Sequence, residues 1–164
     1  MSYLPCELHC HTIHSDGDFT VSELQKAAVD DHLAIIALTD HNTFSGWDEL
    51  DDNIIPAIRG IEWTTYFGHM LVLGANDFVD WRDAQPDNID EKIKQVKAVG
   101  GIVGIAHPYQ LGSPLCTGGR WEFNVRDWRN VDYIEVWHQN LYSAKRENER
   151  ALELWTSLLD KGYK

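Results

Sequence analysis

The run Leu33-Ala34-Ile35-Ile36-Ala37-Leu38, followed at once by Thr39-Asp40-His41, decides how the rest of the chain is read. Six almost wholly apolar residues are what a parallel strand buried on both faces requires. An acid and an imidazole directly after them stand where such a strand meets its loop, the usual position for chemistry in α/β folds. On either side, short apolar runs alternate with helical patterns, which predicts βα units. Tyr3 to Cys10 reads as a preceding strand. Thr20-Val21-Ser22-Glu23 has capping-box spacing and starts a helix running to about His32. Downstream, Ile54 to Trp63 is a strand and His69 to Leu73 a further extended piece. Asp87 to Val99 is helical, with Ile89, Ile93 and Val96 at helical spacing and Gly100 as its stop. Gly101 to Ala106 and Val131 to Trp137 are the later strands. Pro108 to Gly119 is a loop long enough to cover an active site. Ser143 caps a last helix whose apolar stripe is Ala151, Leu152, Trp155, Leu158 and Leu159, ended by Gly162.

Composition narrows the classes. A chain of 164 residues, 43% hydrophobic, fits one domain with a real core. No run approaches the roughly 18 apolar residues of a membrane span, and no secretory signal is visible, so a cytoplasmic location is expected. Cys6, Cys10 and Cys116 are odd in number and form no CxxC pair, which predicts buried, reduced thiols rather than disulfides or a cysteine zinc site. The net charge of −12 repels phosphate backbones and disfavours a nucleic-acid duplex as partner. Bound divalent ions would reverse that sign locally. No GxSxG, Walker loop or GxGxxG is present, so serine-esterase chemistry and nucleotide cofactors are unsupported.

On a strand, residues i and i+2 point to the same side, so His9 and His11 aim two imidazoles into one space. Alone the pair says little in a chain with eight histidines. It gains meaning from Asp40-His41, from Gly60-Ile61-Glu62 with His69 beyond a turn, and from Ala106-His107-Pro108. All fall at the C-terminal side of expected strands, and their convergence predicts a shared metal site. His14 and His32 have no partner in the pattern and are expected to face solvent.

Leu8-His9-Cys10-His11-Thr12 with Ser15-Asp16-Gly17 resembles the first motif, HxHxxxSDG, of the polymerase-and-histidinol-phosphatase (PHP) family. Thr39-Asp40-His41 resembles its second motif, Glu62 its third, and His107-Pro108 its later His-Pro motif. Gly60-Ile61-Glu62-Trp63-Thr64, Gly68-His69 and Leu73-Gly74 look closest to the carbaryl-hydrolase-like branch. The resemblance implies an α/β fold, a distorted (β/α)7 barrel, of which about the first five βα units are present. Residues 1–164 would form a single PHP-type domain truncated at its C-terminal end. It also implies two or three metals. His9, His11 and Glu62 would hold one, Glu62 with His69 and His107 a second, and Asp16 with His41 a third. Asp40 would orient a neighbouring imidazole. The family's late Asp-x-His motif has no counterpart after His138, consistent with truncation.

Imidazole and carboxylate ligands suit Zn, Mn or Fe. Such ions lower the pKa of bound water toward about 7, supplying hydroxide at neutral pH. The expected activity is hydrolysis of a small phosphomonoester or phosphodiester, with Arg120 and His138 as substrate-binding candidates. Hydrolysis of a carboxylic or carbamic ester is the nearest alternative, and a non-catalytic metal- or phosphate-binding module a third.

Overall fold

The computed structural model describes residues 3–112, 118–138 and 144–163. Along them run β1 (Cys6–Cys10), α1 (Val21–Asp30), β2 (Ile35–Leu38), β3 (Ala57–Thr65) and β4 (Gly68–Leu73). They are followed by α2 (Ile89–Ala98), β5 (Ile102–Ile105), β6 (Tyr133–Ile134) and α3 (Lys145–Asp160). The fold is mixed α/β, and strand order in the sheet follows chain order from β1 to β6. The described residues group into two compact units, 1–62 with 72–74 and 63–71 with 75–164.

In the first unit β1 and β2 are parallel, with Cys6 opposite Ile35 and Cys10 opposite Leu38. The register shifts between Glu7 and Cys10, an irregularity of the kind that re-aims side chains near functional sites. β2 pairs in parallel with β3 from Ile36–Ala57 to Leu38–Arg59. The opening apolar run behaves as its sequence requires, with Ile36, Ala37 and Leu38 all buried. The capping box forms: Thr20 caps the Glu23 N–H while the Glu23 carboxylate accepts the Thr20 N–H at 2.9 Å. His32 is exposed and takes a left-handed φ of 60°, allowing the Leu33 N–H to reach the Ala28 carbonyl at 2.9 Å. Ala28, Ile36 and Ile55 form a core cluster joined by Leu24, Leu33 and Ala57.

In the second unit the end of β3 turns through Tyr66-Phe67 into β4, with the Thr65 hydroxyl donating to the Gly68 carbonyl at 2.9 Å. β4 is buried throughout. α2 buries Ile89, Ile93 and Val96 and stops before Gly100, whose φ is 81°. β5 and β6 are parallel, with Gly104 opposite Tyr133. Gly104 has to be glycine, because a Cβ there would run into the Tyr133 ring.

Four expectations change. The regular βα repeat is interrupted: β2 and β3 are joined through a 3-10 turn at Trp47–Glu49, and β3 and β4 form a hairpin. The connection from β5 to β6 shows only a 3-10 turn, Trp128–Asn130, among its described residues. β6 is two residues long rather than seven, because Glu135 turns its carboxylate back onto the His107 N–H at 2.7 Å. The N-cap of α3 is Ala144, without a side-chain cap; Ser143 lies outside the described residues, as does Cys116. Cys10 is buried as expected, but Cys6 is exposed.

Candidate metal centre

The first unit brings together His9, His11, Asp16, His41 and Glu62. Glu62 is fully buried on β3, and an uncompensated carboxylate there would cost several kcal/mol, on the order of the penalty for any buried ion. Compensation comes from three imidazoles around one oxygen. His41 Nδ1 lies 2.7 Å from Glu62 Oε2, His9 Nε2 3.3 Å and His11 Nε2 3.4 Å. The backbone supports this arrangement, since His41 and Glu62 form a parallel bridge and the Asn42 N–H bonds the Glu62 carbonyl at 3.0 Å. Asn42 adopts φ 52° there, a conformation that asparagine tolerates better than most residues.

Asp16 joins from the loop after β1. Its oxygens lie 3.8 Å from His11 Nδ1 and 3.4 Å from His41 Nε2. Ligand atoms of His11, Asp16 and His41 lie within 4.8 Å of one another. The His11 and His41 rings stack at 4.3 Å, and those of His9 and His11 meet edge-on at 4.9 Å. Gly17 makes this loop possible, because a Cβ would strike the His11 carbonyl.

The electrostatics split the imidazoles. Burial, then the neighbouring His9, push His11 down to about 4 against the pull of Glu62, so it is neutral at pH 7. His41 is also penalised by burial, but its hydrogen bond to Glu62 and the charges of Glu62 and Asp16 outweigh this and raise it. His11 Nδ1 is buried and has no hydrogen-bond partner among the described residues. A neutral imidazole with such a nitrogen, flanked by carboxylates and further imidazoles, fits a divalent cation of the Zn, Mn or Fe type.

The second unit holds His69 on β4 and His107 after β5, both buried, with rings 5.0 Å apart. His138 packs on His107 at 4.7 Å, and its Nδ1 lies 3.9 Å from Glu135 Oε2. The Asn148 side chain on α3 clasps the His138 backbone, accepting its N–H at 3.1 Å and donating to its carbonyl at 3.2 Å. His107 has a φ of 24°, a strained value of the sort that concentrates at functional sites. Glu135 and Asn148 were not foreseen. The available signal for Glu135 was an acid within an otherwise largely apolar expected strand, three residues before a histidine.

Two other candidates differ from expectation. Asp40, 2% exposed, does not orient an imidazole through any described hydrogen bond. It accepts the Thr12 N–H at 2.7 Å, the Thr12 hydroxyl at 2.8 Å and the Ser15 hydroxyl at 2.5 Å, fastening the loop that carries Asp16. Arg120 is exposed and makes no ion pair with a described residue. Its carbonyl lies over the β3–β4 turn, where a Gly68 Cβ would come within 3.4 Å. His14, expected to face solvent, is instead bonded through both ring nitrogens.

A family model described as the PHP domain matches residues 7–103. The match covers more than half the chain, which therefore belongs to that family. Among relatives, an uncharacterized Methanocaldococcus jannaschii protein, MJ1587, is 29% identical over 153 residues, covering 84% of this chain and 85% of that one. A second from the same organism, MJ1295, is 30% identical over 110 residues, covering 66% of this chain and 48% of that protein. The aligned part thus spans about half the length of MJ1295. Among solved structures, a Bifidobacterium adolescentis protein described as an inferred metal-dependent phosphoesterase superposes with a TM-score of 0.65 at 20% identity. The match covers 95% of this chain and 84% of the other. An amidohydrolase from Chromobacterium violaceum, with bound sulfate and no metal, gives 0.54 at 18% identity, covering 80% and 76%. These likenesses concern the fold. No helix among the described residues is long and apolar enough to cross a membrane.

Proposed function

We propose that the chain is a metal-dependent hydrolase, a single PHP-type catalytic domain acting on a small phosphomonoester or phosphodiester. The observation that carries this is the meeting of three imidazoles on one oxygen of the fully buried Glu62, with Asp16 closing on two of them. His9, His11 and Glu62 would hold one divalent ion, and His11, Asp16 and His41 are placed to hold another. His69 and His107, with His138 against them, would serve a further ion. Bound there, such ions supply Lewis-acid polarisation of the ester and a water acidic enough to ionise near neutral pH.

The chain's own residues have separate tasks. Glu62 supplies the fixed negative charge that draws cations into the imidazole cluster. His11, held neutral, offers a lone pair without first losing a proton. Asp40 holds the Thr12 to Ser15 segment, so Asp16 is presented from a fastened loop. Arg120, with its exposed guanidinium, is proposed to meet the anionic part of the substrate. A phosphoester is the favoured substrate group, in keeping with the structurally similar protein described as a metal-dependent phosphoesterase. Hydrolysis of a carboxylic or carbamic ester remains the second proposal, on the sequence pattern from Gly60 to Gly74 that resembles the carbaryl-hydrolase-like branch.

The test is turnover of a panel of aryl phosphates, phosphodiesters and aryl esters by protein loaded with Zn, Mn or Fe. Phosphoester turnover that His11→Ala and Glu62→Gln abolish is expected. Turnover that both variants retain would contradict the metal assignment, and turnover confined to carboxyl esters would move it to the second substrate class.

A further inference from the structure

The first unit carries a hydrogen-bonded chain that none of the candidate ligands belongs to. His14 Nε2 lies 2.9 Å from Glu49 Oε1, and its Nδ1 lies 2.8 Å from Ser45 Oγ. Ser45 Oγ is in turn 3.0 Å from Thr43 Oγ1, which also accepts the Ser45 N–H at 3.2 Å. In the tautomer whose Nε2 donates to the Glu49 carboxylate, Nδ1 accepts from the Ser45 hydroxyl. Glycine at position 46 makes room for the ring: a Cβ there would sit 3.1 Å from His14 Cδ2 and 3.0 Å from Leu38 Cδ2.

The two loops joined in this way are the ones that deliver Asp16 and His41. His14 is two residues before Asp16, and Thr43 and Ser45 are two and four residues after His41. Asp16 itself is 68% exposed and makes no hydrogen bond with a described residue, only the ion-pair approaches to His11 and His41. Its position is therefore set by its neighbours. Asp40 fastens Thr12 and Ser15 from below, and His14 ties the same loop sideways to the 43–49 segment. Metal sites tolerate little looseness, since a ligand displaced by about 1 Å no longer coordinates productively.

We propose that His14 is a positioning residue for the cation held by His11, Asp16 and His41, acting through its bonds to Ser45 and Glu49. This rests on the metal-dependent reading above. Full-length, metal-free protein is titrated with Co2+, following visible absorption and binding heat, with the melting temperature of each metal-free variant recorded alongside. Asp16→Asn identifies the step belonging to this site by weakening it. His14→Ala is expected to weaken that same step about 10-fold or more, the range for groups that orient ligands, and to leave the other steps unchanged. His14→Gln, long enough to reach both partners, is expected to recover most of the loss. A merely structural role would lower the melting temperature without singling out one step. Should His14→Ala fail to fold, Ser45→Ala and Glu49→Gln carry the test and are each expected to weaken the same step by a smaller factor. The proposal is overturned if these variants weaken no step, or all steps alike. If Asp16→Asn itself changes no step, the assignment of that metal site falls, and the role of His14 with it.

Discussion

Replacing Asp40 by alanine separates two roles that the sequence alone could not distinguish. Asp40 is 2% exposed and accepts three hydrogen bonds, from the Thr12 N–H at 2.7 Å, the Thr12 hydroxyl at 2.8 Å and the Ser15 hydroxyl at 2.5 Å. A hydrogen bond to a charged group contributes about 1.5–3 kcal/mol, and a buried donor left without its partner costs about 1–3 kcal/mol. The three do not sum, because both hydroxyls can rotate toward other acceptors while the Thr12 N–H cannot. Asp40→Ala is therefore expected to destabilise the metal-free protein by roughly 3–5 kcal/mol, about one stranded backbone donor together with one lost charged hydrogen bond. At about 2–4 °C per kcal/mol for a chain of this size, the melting temperature falls by roughly 6–20 °C. Thermal and urea unfolding of metal-free protein measure it. Ser15→Ala should cost about 1 kcal/mol alone and add little to Asp40→Ala, since both remove the same bond. A loss below about 1 kcal/mol in metal-free protein, the size of one ordinary bond, would refute the fastening role. A loss seen only with metal bound would restore the ligand-orienting one.

Thr20→Ala removes the reciprocal cap of α1 and should cost about 1 kcal/mol, read as a shift in urea midpoint at constant slope; no shift would mean the cap is idle. Cys10 is pushed up to about 12 by burial, then by the charges of Glu7 and Asp40, so it stays a thiol at pH 8. Iodoacetamide should label the exposed Cys6 well before Cys10, and equal rates by mass spectrometry would contradict the burial. Because the folded protein holds this proton more tightly than the unfolded chain, the contribution of Cys10 to stability is complete below pH 9. It is lost as pH rises from there toward about 12.

The legible parts of this chain were those governed by local rules. The run Leu33 to Leu38 announces a buried strand because burial on both faces leaves no room for polar residues, and Thr20 with Glu23 announces a helix start by spacing alone. His9, His11 and His41 of the first unit were legible because they fall at or just past the ends of β1 and β2, where side chains of distant segments converge, whereas Glu62 lies within β3 and Asp16 on the loop after β1. What the sequence hid depends on tertiary pairing. That Asp40 bonds Thr12 and Ser15 rather than an imidazole follows from the β1–β2 register, which no local pattern encodes. His14 looked unpartnered because Ser45 and Glu49 are more than thirty residues away. The segment between Glu62 and His69 reads in sequence only as a turn, and its Tyr66-Phe67 is the tip of a hairpin. The truncated β6 reflects Glu135 bonding the His107 backbone, a long-range choice invisible in an apolar stretch.

The most direct test of the metal assignment is elemental analysis of protein purified without added chelator, beside Glu62→Gln prepared identically. Divalent Zn, Mn or Fe bound at one or more equivalents per chain, and falling sharply in Glu62→Gln, is the expected result. Wild-type protein at background metal content even after dialysis against each ion, or a variant that retains the full complement, would contradict it.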